Sequence, residues 1–411
     1  MWVMGKKEKT GERPKHEVAE VIRKFEGAYL QKYRYTYMQK CVVNNILNCR
    51  TAALGGHIRA CKECGQTEIA YNPCKDRQCP KCGAFEKAQW LEEQKIWKLP
   101  THYYHLIFTI DHVFNPLVWN NQKVLYDLLM RTSAHVTQEF GKKYFGGEMG
   151  ITMTLHTWGQ TMQKHAHTHA MVTGGALVEE RGQYHWKAAK KTWLFPAQEF
   201  SAAFRQAFCA GIRKLWEMGK LKMGREGQLD VERMLKAGGS QKWEVYIQTP
   251  RGQPEDLLDY LGRYVYKTAM SNHRILAVGH KKVRFKYYDN RDDGKLKEME
   301  LDGVEFIRRY LQHILPKGFQ RVRHYGLHHS SQRKKIEIAR GLLGGERGKP
   351  QIRKLKIEAW LGEILEEDQP FRCPYCGKGK MEKVREFSGI ETWRLKFAPL
   401  VGKLYQWGWG F

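Results

Sequence analysis

The sequence predicts an α+β protein, and three observations carry that reading. Strand-like segments follow one another through short turns, helical periods are grouped apart from them, and a cysteine-rich stretch lies near the start. Residues 15–50 place apolar side chains at Val18, Val21, Ile22, Phe25 and Tyr29, and again at Val42, Val43, Ile46 and Leu47, close to the helical period. After the cysteines, residues 85–97 read as another helix. The β-branched and aromatic run YYHLIFTI at 103–110 predicts a strand, and Pro116 opens a helical stretch to about residue 140. Residues 151–158 (ITMTLHTW) and 165–173 (HAHTHAMVT) read as two strands of a hairpin, closed by Gly174 and Gly175. A helix at 197–218, a strand at 243–249 (WEVYIQT), a helix at 254–268 opened by Pro254 and a strand at 283–288 complete the pattern. Composition divides the chain into a helical, cysteine-bearing module at 1–100, the mixed domain at 101–329 and a basic, Gly-rich tail at 330–411 that is expected to be loosely attached.

The chain carries a net charge of +27 spread over most of its length, so its natural partner is a polyanion. Aromatic residues make up 12% of the sequence; rings that stack on unpaired bases, set among cations that neutralise phosphates, favour nucleic acid over a membrane surface. The N-terminal residues lack a signal-peptide core and no window approaches the roughly 18 apolar residues of a membrane span, so a cytoplasmic protein without membrane partner is expected. Five of the ten cysteines fall between Cys61 and Cys82, and in a reducing compartment such spacing points to metal and away from disulfides.

Cys61 and Cys64 in CKECG, with Cys79 and Cys82 in CPKCG, form two knuckles of the kind that bring thiolates onto one tetrahedral zinc ion. Cys74 is a fifth candidate ligand and His57 a sixth. A site filled by thiolates would be structural. Cys41, Cys49 and Cys209 read as small core residues. Cys373 and Cys376 in CPYCGKGK form a lone knuckle, so a second zinc there would need partners from elsewhere in the chain.

Residues two apart on a strand share a face, so His165, His167 and His169 project together. The outer pair, about 13 Å apart along the strand, is too far separated to share one ion. One ion would take two of the three and find a further ligand across the hairpin: pairing Trp158 with His165 sets His156 opposite His167, with Gln160 in the turn as the other candidate. Neutral ligands with open positions suit Mg²⁺ or Mn²⁺ bound to phosphate oxygen, while a hydrogen-bonded histidine row without metal would leave the same pattern. In EDLLDYLGRYVYKTAMSNHRI, Tyr260 and Tyr264 lie one helical turn apart, with Arg263, Lys267, Asn272 and Arg274 close in sequence. A phenol with an ordinary pKa of about 10 needs such cations, and a polarised phosphate, to act as a nucleophile. Two tyrosines packing an amphipathic helix against a sheet would show the same spacing; Tyr266 lies on another face.

Taken in order, YNPCKDRQCPKCG, YYHLIFTI, HTWGQ with HAHTHAMVTGG, YLGRYVYKTAMSNHRI and FIRRYLQHILPKGFQRVRHYG resemble the HUH rolling-circle transposases of bacterial insertion sequences, the IS91 family with its zinc-binding N-terminal domain. The resemblance covers most of the chain. It implies a helical zinc-binding, DNA-binding module followed by an HUH endonuclease domain, an antiparallel sheet flanked by helices. His167 and His169 would be the metal-binding pair, His156 would stand where the family has His or Gln, and Tyr260 and Tyr264 would match the paired tyrosines. Two positions depart from the pattern. Thr168 replaces a bulky apolar residue, and Gln78 stands where a His often precedes the second knuckle.

The implied chemistry is transesterification on single-stranded or hairpin insertion-sequence ends: a tyrosine attacks the scissile phosphate and keeps the 5′ phosphate covalently, assisted by Mg²⁺ or Mn²⁺, with zinc purely structural. Arg308, Arg309, Arg321 and Arg323 are candidate DNA-backbone clamps. The protein would then work in the bacterial cytoplasm, at the nucleoid when bound to DNA. A plasmid replication initiator or relaxase shares the nicking chemistry, and a non-catalytic zinc-dependent DNA-binding regulator shares the charge and the cysteines. The zinc module and FIRRYLQHILPKGF weigh against the initiator.

Overall fold

The computed structural model describes residues 13–224, 230–250, 268–289, 292–345, 352–365 and 371–389, together with Gly262 and Val265. The first long helical period divides into α1 (Val18–Lys32) and α2 (Tyr37–Asn48). Tyr33 is extended, and the next helix is started by a reciprocal cap: the Gln39 amide N–H donates to Thr36 Oγ1 at 3.3 Å while Thr36 N–H donates to Gln39 Oε1 at 2.9 Å. A hairpin of β1 (Gly56–Cys61) and β2 (Thr67–Tyr71) follows, then α3 (Ala84–Gln94), β3 (Tyr103–Thr109), α4 (Asn115–Asn120) and α5 (Gln122–Phe145). Next come β4 (Gly150–Trp158), β5 (Lys164–Thr173), the small hairpin β6 (Gly175–Glu180) with β7 (Gln183–Ala188), α6 (Ala197–Glu217), α7 (Val231–Ser240) and β8 (Val245–Gln248). The predicted helix at 254–268 lies largely outside the described residues; its described members Gly262 and Val265 are helical, and Gly262 lies against Leu91 of α3. The chain continues through β9 (Ile275–Val278), β10 (Lys282–Asp289), β11 (Lys295–Asp302), α8 (Gly303–Leu311), β12 (Val322–Gly326), α9 (Arg333–Leu342), α10 (Ile357–Leu365) and β13 (Met381–Phe387).

The central sheet has the order β12-β4-β5-β3-β8, antiparallel throughout, with β5 in the middle. Its two faces differ in chemistry. Leu106, Phe108, Met153, Leu155, Ala166 and Ala170 point to one side and pack with Leu129 of α5 and with Phe200, Phe204 and Phe208 of α6 in the main core. Phe108 meets the rings of Phe200 and Phe204 edge-on at 5.7 and 5.0 Å. Each fully buried ring of this kind contributes on the order of 2–3 kcal/mol by removal from water. The alternate residues His105, Thr152, Thr154, His156, His167 and His169 occupy the other side and are buried as well, so this sheet hides a polar face instead of wetting it. The fold is α+β, an antiparallel sheet flanked by helices.

A second core joins the N-terminal helices to the three-stranded sheet β11-β10-β9 and to α8, through Phe25, Phe285, Phe306 and Tyr310, and reaches Trp158 and Met162 beside the central sheet. Close approach explains the first residue of α8: a Cβ at Gly303 would lie 2.3 Å from the Phe25 ring. The third sheet, β13-β1-β2, corrects an expectation. The segment after residue 330 is not a loose tail, because β13 returns across the whole chain to pair with β1, and Ile336 and Ala339 of α9 are buried beside Leu99 and Leu327. Its Lys- and Gly-rich composition hid the few apolar anchors, Met381 and Phe387 among them, that fasten it. Among the described residues no helix is long and apolar enough to cross a membrane.

Just after α8, His313 is 1% exposed, hydrogen-bonded to Thr157 Oγ1 at 3.2 Å and to the Met162 carbonyl at 3.0 Å. Burial pushes its pKa down to about 4, against about 6.5 in an unfolded chain. The unfolded state therefore takes up the proton first, and stability is lost as pH falls from about 6.5 towards 4. Between pH 7 and about pH 5 this one residue should remove about 2 kcal/mol of folding stability. Urea unfolding across that range should show a shallower loss, by about that amount, in His313→Gln; equal pH dependence in the two proteins would refute the assignment.

Candidate metal centre and cysteine clusters

The site begins with strand alternation. Along β5 the residues His165, His167 and His169 fall on the polar face, while Ala166, Thr168 and Ala170 turn towards α5, where the Thr168 hydroxyl meets Ser133 Oγ at 3.5 Å. Thr168 is fully buried against that helix. Across the hairpin β4 places His156 opposite His167. The ladder slips by one residue beyond that point, so Trp158 pairs with Lys164 and not with His165 as expected. His156, His167 and His169, all buried, each bring a ring nitrogen to within 4.8 Å of the others. His165 stands outside this group and contributes its carbonyl oxygen, which accepts a hydrogen bond from His167 Nδ1 at 2.9 Å. Gln160, the other candidate in the turn, uses its own carbonyl to accept from Arg274.

Hydrogen bonding fixes which nitrogens carry lone pairs. A carbonyl oxygen can only accept, so His167 holds its proton on Nδ1 and leaves Nε2 bare. A longer relay governs His169. Gln248 Oε1 accepts from His105 Nδ1 at 3.0 Å, and His105 Nε2, thereby bare, accepts from His169 Nδ1 at 2.9 Å. With the Gln248 amide in this orientation, His169 Nε2 is bare too. With these tautomers the two Nε2 lone pairs, 3.1 Å apart, converge on one point where a positive charge would be held. Burial pushes His167 down to about 3 and His105 down to about 4, so both are neutral at neutral pH and neither supplies that charge itself. Thr154 Oγ1, opposite His169 in the ladder, is buried without a hydrogen-bond partner among the described residues. A three-nitrogen donor set with an orphaned oxygen beside it fits a divalent ion.

The walls of the site are aromatic and cationic. Trp158 stacks on the His156 ring at 4.9 Å, and the Arg321 guanidinium lies 4.8 Å from the Trp158 centroid. Desolvation pushes buried Arg321 down to about 9, which leaves it charged at neutral pH, and its Nε donates to the Leu155 carbonyl at 3.0 Å. Arg321 was expected on the DNA backbone; it is instead locked into the wall, because its neighbours Leu155 and Trp158 offer a carbonyl and a ring. The other expected clamps are similarly engaged. Arg308 and Arg309 both bind Glu305, at 2.6 and 2.7 Å, Arg323 binds Asp127 at 2.5 Å, and Arg274 donates to the carbonyls of Lys286, Ala269 and Gln160. Tyr260, Tyr264, Arg263 and Lys267 lie outside the described residues.

The cysteines are arranged differently from the single site expected from two adjacent knuckles. Cys79 and Cys82 converge with Cys49 and Cys74, with Cys82 Sγ 3.5 Å from Cys49 and 3.7 Å from Cys74. Cys61 and Cys64 converge with Cys373 and Cys376. The reason is β2. Its five residues carry the chain roughly 15 Å along the hairpin before the second knuckle begins, too far for the two knuckles to share an ion. Cys49 was read as a core residue because no second cysteine stands near it in sequence; it lies at the C-terminus of α2, where the backbone turns it towards the knuckle. His105 and Gln248 were also missed, though the alternation of YYHLIFTI and WEVYIQT places each at a definite face of its strand.

The family model described as "Putative transposase" matches residues 150–335, and that described as "Transposase zinc-binding domain" matches residues 21–110. "Putative transposase y4qJ" of Sinorhizobium fredii (strain NBRC 101917 / NGR234) is 35% identical over 389 residues, which span 91% of this chain and 96% of that protein. The chain belongs to the IS91 family of transposases. A second relative, "Transposase for insertion sequence element IS801" of Pseudomonas savastanoi pv. phaseolicola, is 27% identical over 292 residues, 69% of this chain and 68% of its own length. No solved structure matches the chain. The "Putative transposase" match spans all three site histidines, and the zinc-binding match spans Cys49, Cys74, Cys79 and Cys82, whose geometry fits a structural zinc ion.

That cluster also ties the N-terminal module of this IS91-family transposase to the rest of the molecule. Cys79 belongs to the second core, the Tyr310 hydroxyl donates to the Gln78 carbonyl, and Arg77 donates to the Phe319 carbonyl at 3.1 Å. Replacing Cys79 with Ser should release one zinc equivalent and destabilise the fold by several kcal/mol. Zinc analysis and urea unfolding would check this, and hydrogen exchange should show α8 losing protection with the knuckle; unchanged zinc content would count against the ligand assignment.

Proposed function

We propose that this transposase cuts and rejoins single-stranded DNA at insertion-sequence ends by rolling-circle transfer, with Tyr260 and Tyr264 as nucleophiles and His156, His167 and His169 as ligands of a catalytic Mg²⁺ or Mn²⁺. The observation that carries the reading is the convergence of His156, His167 and His169, whose ring nitrogens lie within 4.8 Å of one another on a buried polar face. Held by these three histidines, a divalent ion would supply the positive charge that stabilises the scissile phosphate and its leaving oxygen. The His165 carbonyl beside His167 Nδ1 and the His105–Gln248 relay beside His169 Nδ1 would orient both rings with Nε2 towards the ion. Arg321 keeps a charged guanidinium in the wall, which favours an anionic substrate.

A tyrosine oxygen forms its bond to phosphorus as the bond from phosphorus to the 3′ oxygen breaks, and the phenolic proton is released. The phosphodiester energy is conserved in the phosphotyrosine, so a free 3′ hydroxyl can reverse the step on another strand without ATP or water. Two tyrosines four residues apart in sequence would allow one to keep a strand end while the other cuts.

Incubation with Mn²⁺ and a single-stranded oligonucleotide carrying the element's end should give a covalent adduct that survives denaturant. The Tyr260→Phe, Tyr264→Phe double variant should give none, and His167→Ala with His169→Ala should lower its rate at least 100-fold. Equal trapping by the double tyrosine variant would end the nucleophile assignment. The relay has its own test in metal binding. Gln248→Glu keeps an acceptor for His105 and should retain Mn²⁺ affinity, whereas Gln248→Leu removes it and should weaken binding about 10–100-fold by titration. Identical affinities would show that the relay does not orient His169.

A further inference from the structure

Two stretches of CxxCG sequence, at 61–65 and 373–377, take up the same local shape and meet. In the first, Gly65 N–H donates to the Cys61 carbonyl at 2.9 Å, with Gly65 at φ +70°. In the second, Gly377 N–H donates to the Cys373 carbonyl at 2.9 Å, with Gly377 at φ +64°. This turn points both thiols of each pair the same way, and the two pairs face each other. Cys61 Sγ lies 3.8 Å from Cys376 Sγ and Cys64 Sγ lies 3.7 Å from Cys373 Sγ, with all four sulfurs within 4.8 Å of one another. A tetrahedral ion with zinc–sulfur bonds of about 2.3 Å sets its sulfurs about 3.8 Å apart.

The surroundings are built for this convergence. A Cβ at Gly379 would lie 2.4 Å from Cys61 Sγ, so only glycine lets the second hairpin come so close. Gly379 N–H is directed at Cys376 Sγ at 3.4 Å, and Cys61, Cys373 and Met381 form a small buried cluster with Cys376 against it. Backbone bonds close the second knuckle on itself, from Cys373 N–H to the Gly379 carbonyl at 2.7 Å and from Met381 N–H to the Phe371 carbonyl at 2.8 Å. Directly beyond the thiols the strands pair, Cys61 opposite Met381 and Gly56 opposite Phe387.

We infer that Cys61, Cys64, Cys373 and Cys376 hold a second structural zinc ion, separate from the one at Cys49, Cys74, Cys79 and Cys82, which fastens the C-terminal hairpin to the N-terminal module. Four sulfur donors select a soft divalent ion over Mg²⁺ or Mn²⁺, so this centre does not compete for the catalytic ion. The zinc-binding module matched at residues 21–110 is thus incomplete in itself. It takes half of one metal site and one strand of its sheet from beyond residue 370.

Cadmium substituted for zinc in the full-length protein reports each all-sulfur site as a separate resonance, and an ion on the histidines falls outside that range. Two all-sulfur resonances are expected; a single one overturns the proposal, whatever the variants do. In Cys373→Ser, Cys376→Ser, thiolate-bound zinc should fall by one equivalent per chain, and the amides of β1 should lose hydrogen-exchange protection while those of β4 and β5 keep theirs. Retention of both equivalents in that variant overturns it equally.

Discussion

The pairing of β4 with β5 is the constraint on which the rest of the molecule depends. It decides which residues of the two central strands face the helices and which face the site. A slip of β5 by one residue would turn His167 and His169 into the hydrophobic core, away from His156, and bring Ala166, Thr168 and Ala170 to the polar side. The register is secured from the apolar face, where Met153, Leu155, Ala166 and Ala170 pack against α5 and α6 around the interlocked phenylalanine rings. The stability of the core and the alignment of the ligands are therefore one property. The buried polar face is tolerable because nearly all its groups are matched, by His165, by the His105–Gln248 relay or by neighbouring threonines.

From that sheet, two attachments extend to the zinc-binding module. The first runs through Trp158 and Met162 into the second core, where α1 and α8 pack together and Tyr310 grips the Cys79 knuckle. The second runs through β13, which carries the end of the described chain back to β1. Segments adjacent in sequence are thus divided between centres: Cys61 and Cys64 converge with the C-terminal hairpin, Cys79 and Cys82 with Cys49 and Cys74 beside the second core. A thiolate cluster is well suited to this, since it fixes four chain positions with little apolar area, and β1, β2 and β13 have little to offer, with Ile69 and Val384 exposed.

Local rules made much of this legible before any coordinates. The alternation in HAHTHAMVT shows which histidines share a face, and a hairpin with a short polar turn brings ITMTLHTW beside it, so the His156–His167 contact follows from two strands and one loop. The expected ladder was nonetheless wrong at Trp158, where a bulge that no residue announces shifts the pairing. Spacing failed for the cysteines for a different reason. Knuckles report which thiols act in pairs, but the pairing of knuckles is a tertiary matter, set here by a strand more than 300 residues away. Charge alone says nothing of partners: in the free protein Glu305, Asp127 and a set of carbonyls engage the arginines that the sequence offers to phosphate.

On the proposed function, the choice of histidine for the site follows from the charge that a phosphate-transfer centre would have to retain. Carboxylate ligands would cancel part of a divalent ion's charge, and the scissile phosphate would meet a weakened field. Imidazole ligands bring no negative charge, so the ion would present its full double charge to the substrate. Imidazole carries a cost in exchange, since each ring has two nitrogens and only one tautomer binds. Burial and hydrogen bonding meet that requirement together: low pKa values keep His167 and His105 neutral, while the His165 carbonyl and the His105–Gln248 chain direct the protons away from the centre. The second relay reaches across β3 to the edge strand β8, so the outermost strand of the sheet sets the tautomer at its middle.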